Sequence, residues 1–410
     1  MAKDLISSGS LSDIRVLDLT RVWAGPLATR VMGDFGADII KISDPRVQLL
    51  SSNGLNHKLN RNKRNIGIRL DIEEGRDVLL GLVKKSDVII ENFRPRVMRN
   101  LNIGYDVLKT VKPDIIFVSM PGFGVDGPYS EYPAFGTTAE AVAGIPSLIG
   151  YGDGVPISTG IAYGDPISGL NAITLIMAAL RIKNQTGHGQ FIDIALSASP
   201  LCNLGEYVGA YSGSKKVPNP SGNRSKEYSP QGAFRCRGRD QWIAISVFNN
   251  REWMNLKNLL NDSDVNDIQT DTLEHRKNHE EIIEGALAKW TSRLDAFEAV
   301  SLLQENGIRS GNVSSGAQLL EDAHLNDRDF FFDFEEEEYG WKRYDGNSIP
   351  GNKIPKSKWV KNPLSIPLMR NVDIIFELIG GSEGVAKKLV FSALKNKIHV
   401  ITANKALMAK

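Results

Sequence analysis

Apolar and polar positions follow a repeating rhythm over the first third of the chain. "IRVLDL" (14–19) is a short β-rich apolar run, "GPLATRVMGDFGA" has helical spacing opened by Pro26 and closed at Gly36, and "DIIKI" (38–42) is a second apolar run. Strand, helix and strand within about thirty residues make a βαβ unit. The rhythm returns with "IGIRLDI" as strand, "EEGRDVLLGLVKKS" as amphipathic helix and "DVIIENF" as strand. It returns again with "YDVLKTVKPD" ahead of "IIFVSM" (115–120). Apolar strands interleaved with amphipathic helices predict an α/β fold, a doubly wound parallel sheet covered on both faces.

Further along, 138–180 reads as mostly helical, and "GQFIDIALSAS" as a strand running into a helix. "YSGSKKVPNPSGNRSKEYSPQG" is rich in Gly, Pro and Ser and marks a domain boundary. "AFRCRGRDQWIAISVF" reads as a β-hairpin around "GRD", and 250–305 is polar and helical. The stretch 330–359 reads as strands joined by turns, its "EEEE" run a solvated face.

Composition narrows the function classes. Of 410 residues, 41% are hydrophobic and 24% charged, as in soluble globular proteins, and the length suits two or three domains. Lys plus Arg number 49 against 48 Asp plus Glu, so no net field draws the chain to nucleic acid or an anionic membrane. The longest apolar runs, such as "VDIIFELIGG", read as too short to span a bilayer, and the start has no apolar core of a secretory signal. The two cysteines, Cys202 and Cys236, have no metal-ligand spacing and make no disulfide framework. A cytoplasmic protein without a metal is the expectation.

Ligands of doubly wound sheets bind beyond the strand C-termini. The segments there are "TRVWAGP", "ENFRPRVMRN" and "MPGFGVDGP"; none is a G-x-G-x-x-G fingerprint or a Walker A loop. Lys63, Arg64, Arg94, Arg96 and Arg99 are candidates for a shared anionic ligand, since guanidinium pairs with phosphate through two hydrogen bonds. Taken singly, each reads as a solvated surface charge. In "YGDPISG" the pair Asp165–Pro166 reads first as a helix start, with Asp165 as the cap. His188 and His324 read as structural.

In order along the chain stand "RVLDLTRVWAGPLATRVMGDFGADIIKI", "NRNKRNIGIRLD", "SDVIIENFRP", "SMPGFGVDGPYSEYP", "YGDPISG" and "ALRIKNQTGHGQFIDIAL", continuing through "GNRSKEYSPQGAF" and "EDAHLNDRDFF". Together they resemble the class III CoA-transferases, the family of carnitine and formyl-CoA transferases, over about 11–359. The resemblance implies that Asp165 is the nucleophile, acylated and then thioesterified in transfer of coenzyme A from an acyl-CoA to a carboxylic acid. It implies Val22, Trp23 and Ala24 at the reacting end of coenzyme A. It suggests Lys63, Arg64, Arg94 and Arg99 for the nucleotide phosphates, with Phe93 and Met98 flanking the adenine. It also implies an interlocked homodimer. The large CoA-binding domain would be 1–224, a smaller inserted α+β domain 225–311, and a return segment 312–368, with the acyl site at the seam.

Two departures stand out. Ser43 follows "KI" where many members carry Glu, and "SVFNNREW" lacks the glycine-rich loop of formyl-CoA transferases, which argues against oxalate as acceptor. Racemases of the same fold place a histidine upstream of the aspartate; "EYPAFGTTAEAVAGI" has none, which leaves a 2-methylacyl-CoA racemase as the alternative, beside an inactive CoA-binding fusion. From Val372 onward the sequence resembles an internal piece of homoserine dehydrogenase around "TANKA", assigned to 369–410. The phosphate-binding turn of that enzyme is absent from it, so NAD is not expected.

Overall fold

The computed structural model describes residues 9–47, 54–151, 155–336, 340–345, 374–377, 385–396 and 398–402. The N-terminal part of the larger unit runs β1 (Arg15–Asp18), α1 (Ala24–Asp34), β2 (Asp38–Ser43), α2 (Gly54–Asn60), β3 (Lys63–Gly67), α3 (Glu73–Val83) and β4 (Val88–Glu91). It continues with α4 (Pro95–Asn100), α5 (Tyr105–Val111), β5 (Ile116–Ser119), α6 (Gly136–Val142), α7 (Gly164–Thr186) and β6 (Phe191–Asp193). The six strands form one parallel sheet in the order β3-β2-β1-β4-β5-β6. The order reverses between β1 and β4, so the two strands splay their following loops to opposite sides and leave a crevice there.

The period-two alternation of side chains sorts each strand between two cores. Val16, Ile39, Val88, Ile90, Ile116 and Val118 face α1 and α7, packing on Ala28, Met32, Ala172, Ile176 and Ala179. Leu17, Ile89 and Phe117 face the other way, onto Leu79, Val83, Met98 and Leu108 of α3, α4 and α5. Both faces are covered, as the sequence predicts.

The differences are local. β3 begins at Lys63 rather than within "IGIRLDI", because its register against β2 runs from Ile39↔Lys63 to Ser43↔Gly67. An edge strand can be polar, so its apolar pattern is a poor marker. α1 begins at Ala24, which puts Pro26 inside the first turn, where its missing N–H costs nothing. Helix α7 spans 23 residues and is apolar and long enough to cross a membrane by length and composition, at variance with the reading that no run is. Its apolar character is accounted for on one side by Ala172, Ile176, Ala179 and Leu180, buried against the sheet.

A second sheet, β7 (Gln231–Arg235), β8 (Trp242–Ser246) and β9 (Arg309–Asn312), is antiparallel in that order. The turn between β7 and β8 uses left-handed Gly238 and Asp240 in "GRD". Ile243 and Ile245 pack on Trp253, Leu256, Ile283, Leu287 and Leu303 from the following helices. An antiparallel hairpin, β10 (Phe331–Glu336) with β11 (Gly340–Asp345), comes next. The side chains of the "EEEE" run lie outside the described residues. The chain divides into compact units at Lys353 and Ile354. In the second unit β12 (Ile374–Glu377) pairs in parallel with β13 (His399–Thr402), with the helix Val385–Lys395 between them in sequence.

Candidate active site

Asp165 sits in the first turn of α7 and is only 6% exposed. It does not cap its own helix. The cap position is Tyr163, which makes no side-chain cap, and Pro166 is the third helical residue. The Asp165 carboxylate instead accepts backbone N–H groups from two other elements, Ala24 at the start of α1 and Gly136 at the start of α6. Burial pushes its pKa above the ordinary carboxylate value, and the two N–H groups oppose that rise.

The glycines of "GDPISG" make this approach possible. A Cβ on Gly164 would lie 3.0 Å from the Gly136 carbonyl oxygen, and one on Gly169 2.7 Å from the Ala24 carbonyl oxygen. Gly136 has no room for a Cβ either, because the Asp165 carboxylate fills that space. So Gly164 lets α6 close in, Gly169 lets α1 close in, and the aspartate between them meets a donor from each. Two backbone N–H groups beside one carboxylate can stabilise charge that develops on oxygen during acyl transfer.

Of the residues expected at the reacting end, Ala24 is buried and gives its N–H to Asp165, Trp23 is half-buried and precedes α1, and Val22 is 63% exposed. Val22 is left-handed, with φ 68°, a strained conformation for a β-branched residue. The loop is anchored on both sides. The Arg21 N–H donates to Asn92 Oδ1 and Asn92 Nδ2 donates to the Arg21 carbonyl, each at 2.8 Å, across the β1–β4 crevice. Behind it, fully buried Asp18 accepts from the Thr20 N–H at 2.9 Å, from the Thr29 hydroxyl at 2.7 Å and from the Lys63 ammonium at 3.0 Å. Burial raises the Asp18 pKa, but Lys63, Lys41 and the two threonine hydroxyls outweigh it and hold the carboxyl well below the usual range.

The cations expected at the phosphates are spread over two ends of the sheet. The Lys63 side chain is 2% exposed and its ammonium donates to Asp18 and to the Pro26 carbonyl beneath the loop. Arg64 stands near the N-terminal end of β3, paired with Asp38 at 2.5 Å, on the side of the sheet away from the crevice. Met98 is buried in the core formed with Leu79, Val83 and Leu108. Phe93 is half-buried with the Arg21 guanidinium 5.4 Å above its ring. Arg94 stands at the N-cap position of α4 and makes no side-chain cap, while exposed Arg96 and Arg99 both reach Glu131, at 3.9 and 2.5 Å. Val22, Trp23 and Ala24 after β1 and Phe93 and Arg94 after β4 thus follow the two strands that flank the crevice.

Two buried carboxylates escape the sequence reading. Glu91 at the end of β4 accepts the Phe93 N–H at 2.7 Å and the Ser119 hydroxyl, and burial pushes its pKa up to about 7. Glu140 on α6 accepts from Thr159 and Tyr163 ahead of α7. Glu91 is visible in "ENF" only as a strand end, and Glu140 only as a charge inside an otherwise apolar helix. Cavities of about 610, 560 and 460 Å³ lie elsewhere, two beside the three-stranded sheet and its helices and one at the N-terminal edge of the parallel sheet.

Comparison with known proteins bears on this geometry. The family described as CoA-transferase family III matches residues 11–364. The chain is 31% identical over 346 residues to the succinyl-CoA:mesaconate CoA-transferase of Haloarcula hispanica, covering 80% of this chain and 86% of that one. It is 31% identical over 343 residues to the formyl-CoA:oxalate CoA-transferase of Streptomyces avermitilis, covering 77% and 83%. Among solved structures, a CAIB/BAIF family protein from Brucella suis superposes with a TM-score of 0.75 at 26% identity, covering 86% of this chain and 97% of that one.

Proposed function

Because the chain belongs to CoA-transferase family III, we propose that it moves coenzyme A from an acyl-CoA donor to a carboxylic acid acceptor with Asp165 as nucleophile. The observation that carries this reading is the buried Asp165 carboxylate held between the Ala24 and Gly136 N–H groups. A carboxylate oxygen attacks the thioester carbon, the C–S bond breaks, and a mixed anhydride and the CoA thiolate result. The thiolate attacks the aspartyl carbonyl carbon, releasing the donor acid and leaving an aspartyl-CoA thioester. The acceptor carboxylate then attacks that thioester, and the freed thiolate takes the acceptor acyl group, which returns Asp165 to its carboxylate. Each attack at the aspartyl carbon places negative charge on an oxygen next to two fixed N–H donors.

Access to so enclosed a group needs an apolar approach. Val22 and Phe135, 63% and 66% exposed, stand just before the two donor residues and suit contact with pantetheine and an acyl chain. Arg94 and the Arg21–Phe93 pair are placed for the nucleotide end. Succinyl-CoA as donor and a small acid as acceptor follow from the name of the Haloarcula relative. A homodimer is supported by the apolar side chains that α7 and the helix Gly205–Ser214 leave exposed, among them Leu170, Leu175, Val208 and Tyr211. The strand–helix–strand order within 374–402 supports, at the level of pattern alone, the reading of the C-terminal unit as a homoserine-dehydrogenase-like fragment.

Incubation with succinyl-CoA and hydroxylamine, followed by mass spectrometry of the 159–181 peptide, tests the mechanism. The expected result is a hydroxamate at Asp165, lost together with CoA exchange in Asp165→Ala. Exchange that persists in that variant, or an adduct on another residue, would overturn it.

A further inference from the structure

We propose that Glu140 is a positioning residue for the nucleophile, acting through the turn that leads into α7; the inference rests on the reading of Asp165 as the acylated group. Glu140 is fully buried on α6, and its carboxylate accepts hydrogen bonds from the turn. One oxygen accepts the Thr159 N–H at 2.8 Å. The other accepts the Thr159 hydroxyl at 2.9 Å and the Tyr163 N–H at 3.0 Å. Thr159 and Tyr163 are the two ends of a five-residue turn whose interior holds Gly160 and Ala162 in the left-handed region, at φ 77° and 49°. The Asp165 N–H closes onto the Ala162 carbonyl at 2.9 Å, so the backbone of the nucleophile is set by this turn.

Glu140 thus takes the N–H of the cap residue Tyr163, as the Glu of a capping box ordinarily does, but from a neighbouring helix. The choice of helix matters. Gly136, one turn before Glu140 on α6, gives its N–H to the Asp165 carboxylate. A single short helix therefore fixes both the donor and the chain segment that carries the acceptor, and their separation is set within one rigid element. A buried carboxylate that served stability alone would need no such register. Misplacement of a reacting group by about 1 Å costs roughly a hundredfold in rate, so loosening this clamp acts on the chemical step before it acts on ligand binding.

Single-turnover acylation of the full chain by succinyl-CoA, read as the Asp165 hydroxamate, separates the outcomes. In Glu140→Gln an amide –NH2 must face either the Thr159 or the Tyr163 N–H. The acylation rate is expected to fall roughly tenfold or more, with KM for succinyl-CoA held within about twofold. Thr159→Ala removes one donor of three and leaves the helices intact; a fall of roughly two- to threefold is expected, and it decides the matter if Glu140→Gln does not fold. A wild-type acylation rate in Glu140→Gln, or in Thr159→Ala where that variant must decide, would sink the proposal. So would a change confined to KM. A wild-type protein that forms no adduct would instead remove the nucleophile reading beneath it.

Discussion

Asp165 carries two opposed influences. Burial favours its neutral form, and the Ala24 and Gly136 N–H groups favour the charged one, with burial the larger. A nucleophile must be ionised, so activity should fall on acidification through a pKa above the ordinary 3.8 of aspartate. The acid limb of the kcat/KM profile for CoA exchange is the measurement. A limb at or below 3.8 contradicts the burial seen here. The Asp18–Lys63 pair is a second residue-scale test. Lys63→Met leaves a fully buried carboxylate with Lys41, at 3.5 Å, as its one remaining ion pair among the described residues. Thermal or urea unfolding should show a loss of about 3 kcal/mol. A neutral result would mean that Lys63 is held for a ligand rather than for the fold. The sequence made Asp165 legible as a chemical group but misread its cap, because its hydrogen-bond partners stand 29 residues before it and 141 before it, beyond any local pattern. Lys63 and Arg64 were legible as cations and not as to direction, since adjacent residues of a strand point to opposite faces.

At the level of elements, three helix starts converge on one carboxylate while the sheet supplies the floor. Glu91 belongs to that floor, linking the end of β4 to Ser119 of β5 and to the first turn of the following loop. Its pKa in the folded protein, about 7, lies above the ordinary 4.5, so the native state holds a proton that the unfolded chain has released over that interval. Stability contributed by the neutral form is complete below 4.5 and is lost as pH rises through 7. Glu91→Gln should therefore be stabilising by roughly 2–3 kcal/mol at pH 8 and near neutral at pH 4, measured by chemical denaturation at both. A benefit that does not grow with pH would refute the assignment. Strand and helix order was readable from alternation because each central strand is buried on both faces. β3 was displaced because edge residues carry less of that signal, and the start of α7 because its cap is borrowed from α6.

The whole molecule raises the question of what covers α7. Its sheet-facing side is filled, yet Leu170, Leu175, Met177 and Ile182 remain exposed, as do Tyr207, Val208 and Tyr211 on the helix Gly205–Ser214. Exposed apolar side chains in this number suit the proposed contact between two copies. Two copies are expected by light scattering after gel filtration, and Leu170→Asp combined with Leu175→Asp should yield monomer. A wild-type monomer would leave the homodimer reading without support. The family was legible from ordered motifs spread over most of the chain. The stretch 369–410 was legible as a resemblance around "TANKA", to which the structure adds a strand, a helix and a strand.

The joint grip of Ala24 and Gly136 on one side chain gives the protein a built-in spectroscopic gauge. Both amide protons sense the same charge from separate helices. Turning the carboxylate into a mixed anhydride or thioester should shift the two resonances upfield in concert, whereas a ligand that merely displaces the Val22 loop should move the Ala24 signal alone. Nuclear magnetic resonance of two backbone amides would then distinguish an occupied protein from an acylated one without stopping the reaction.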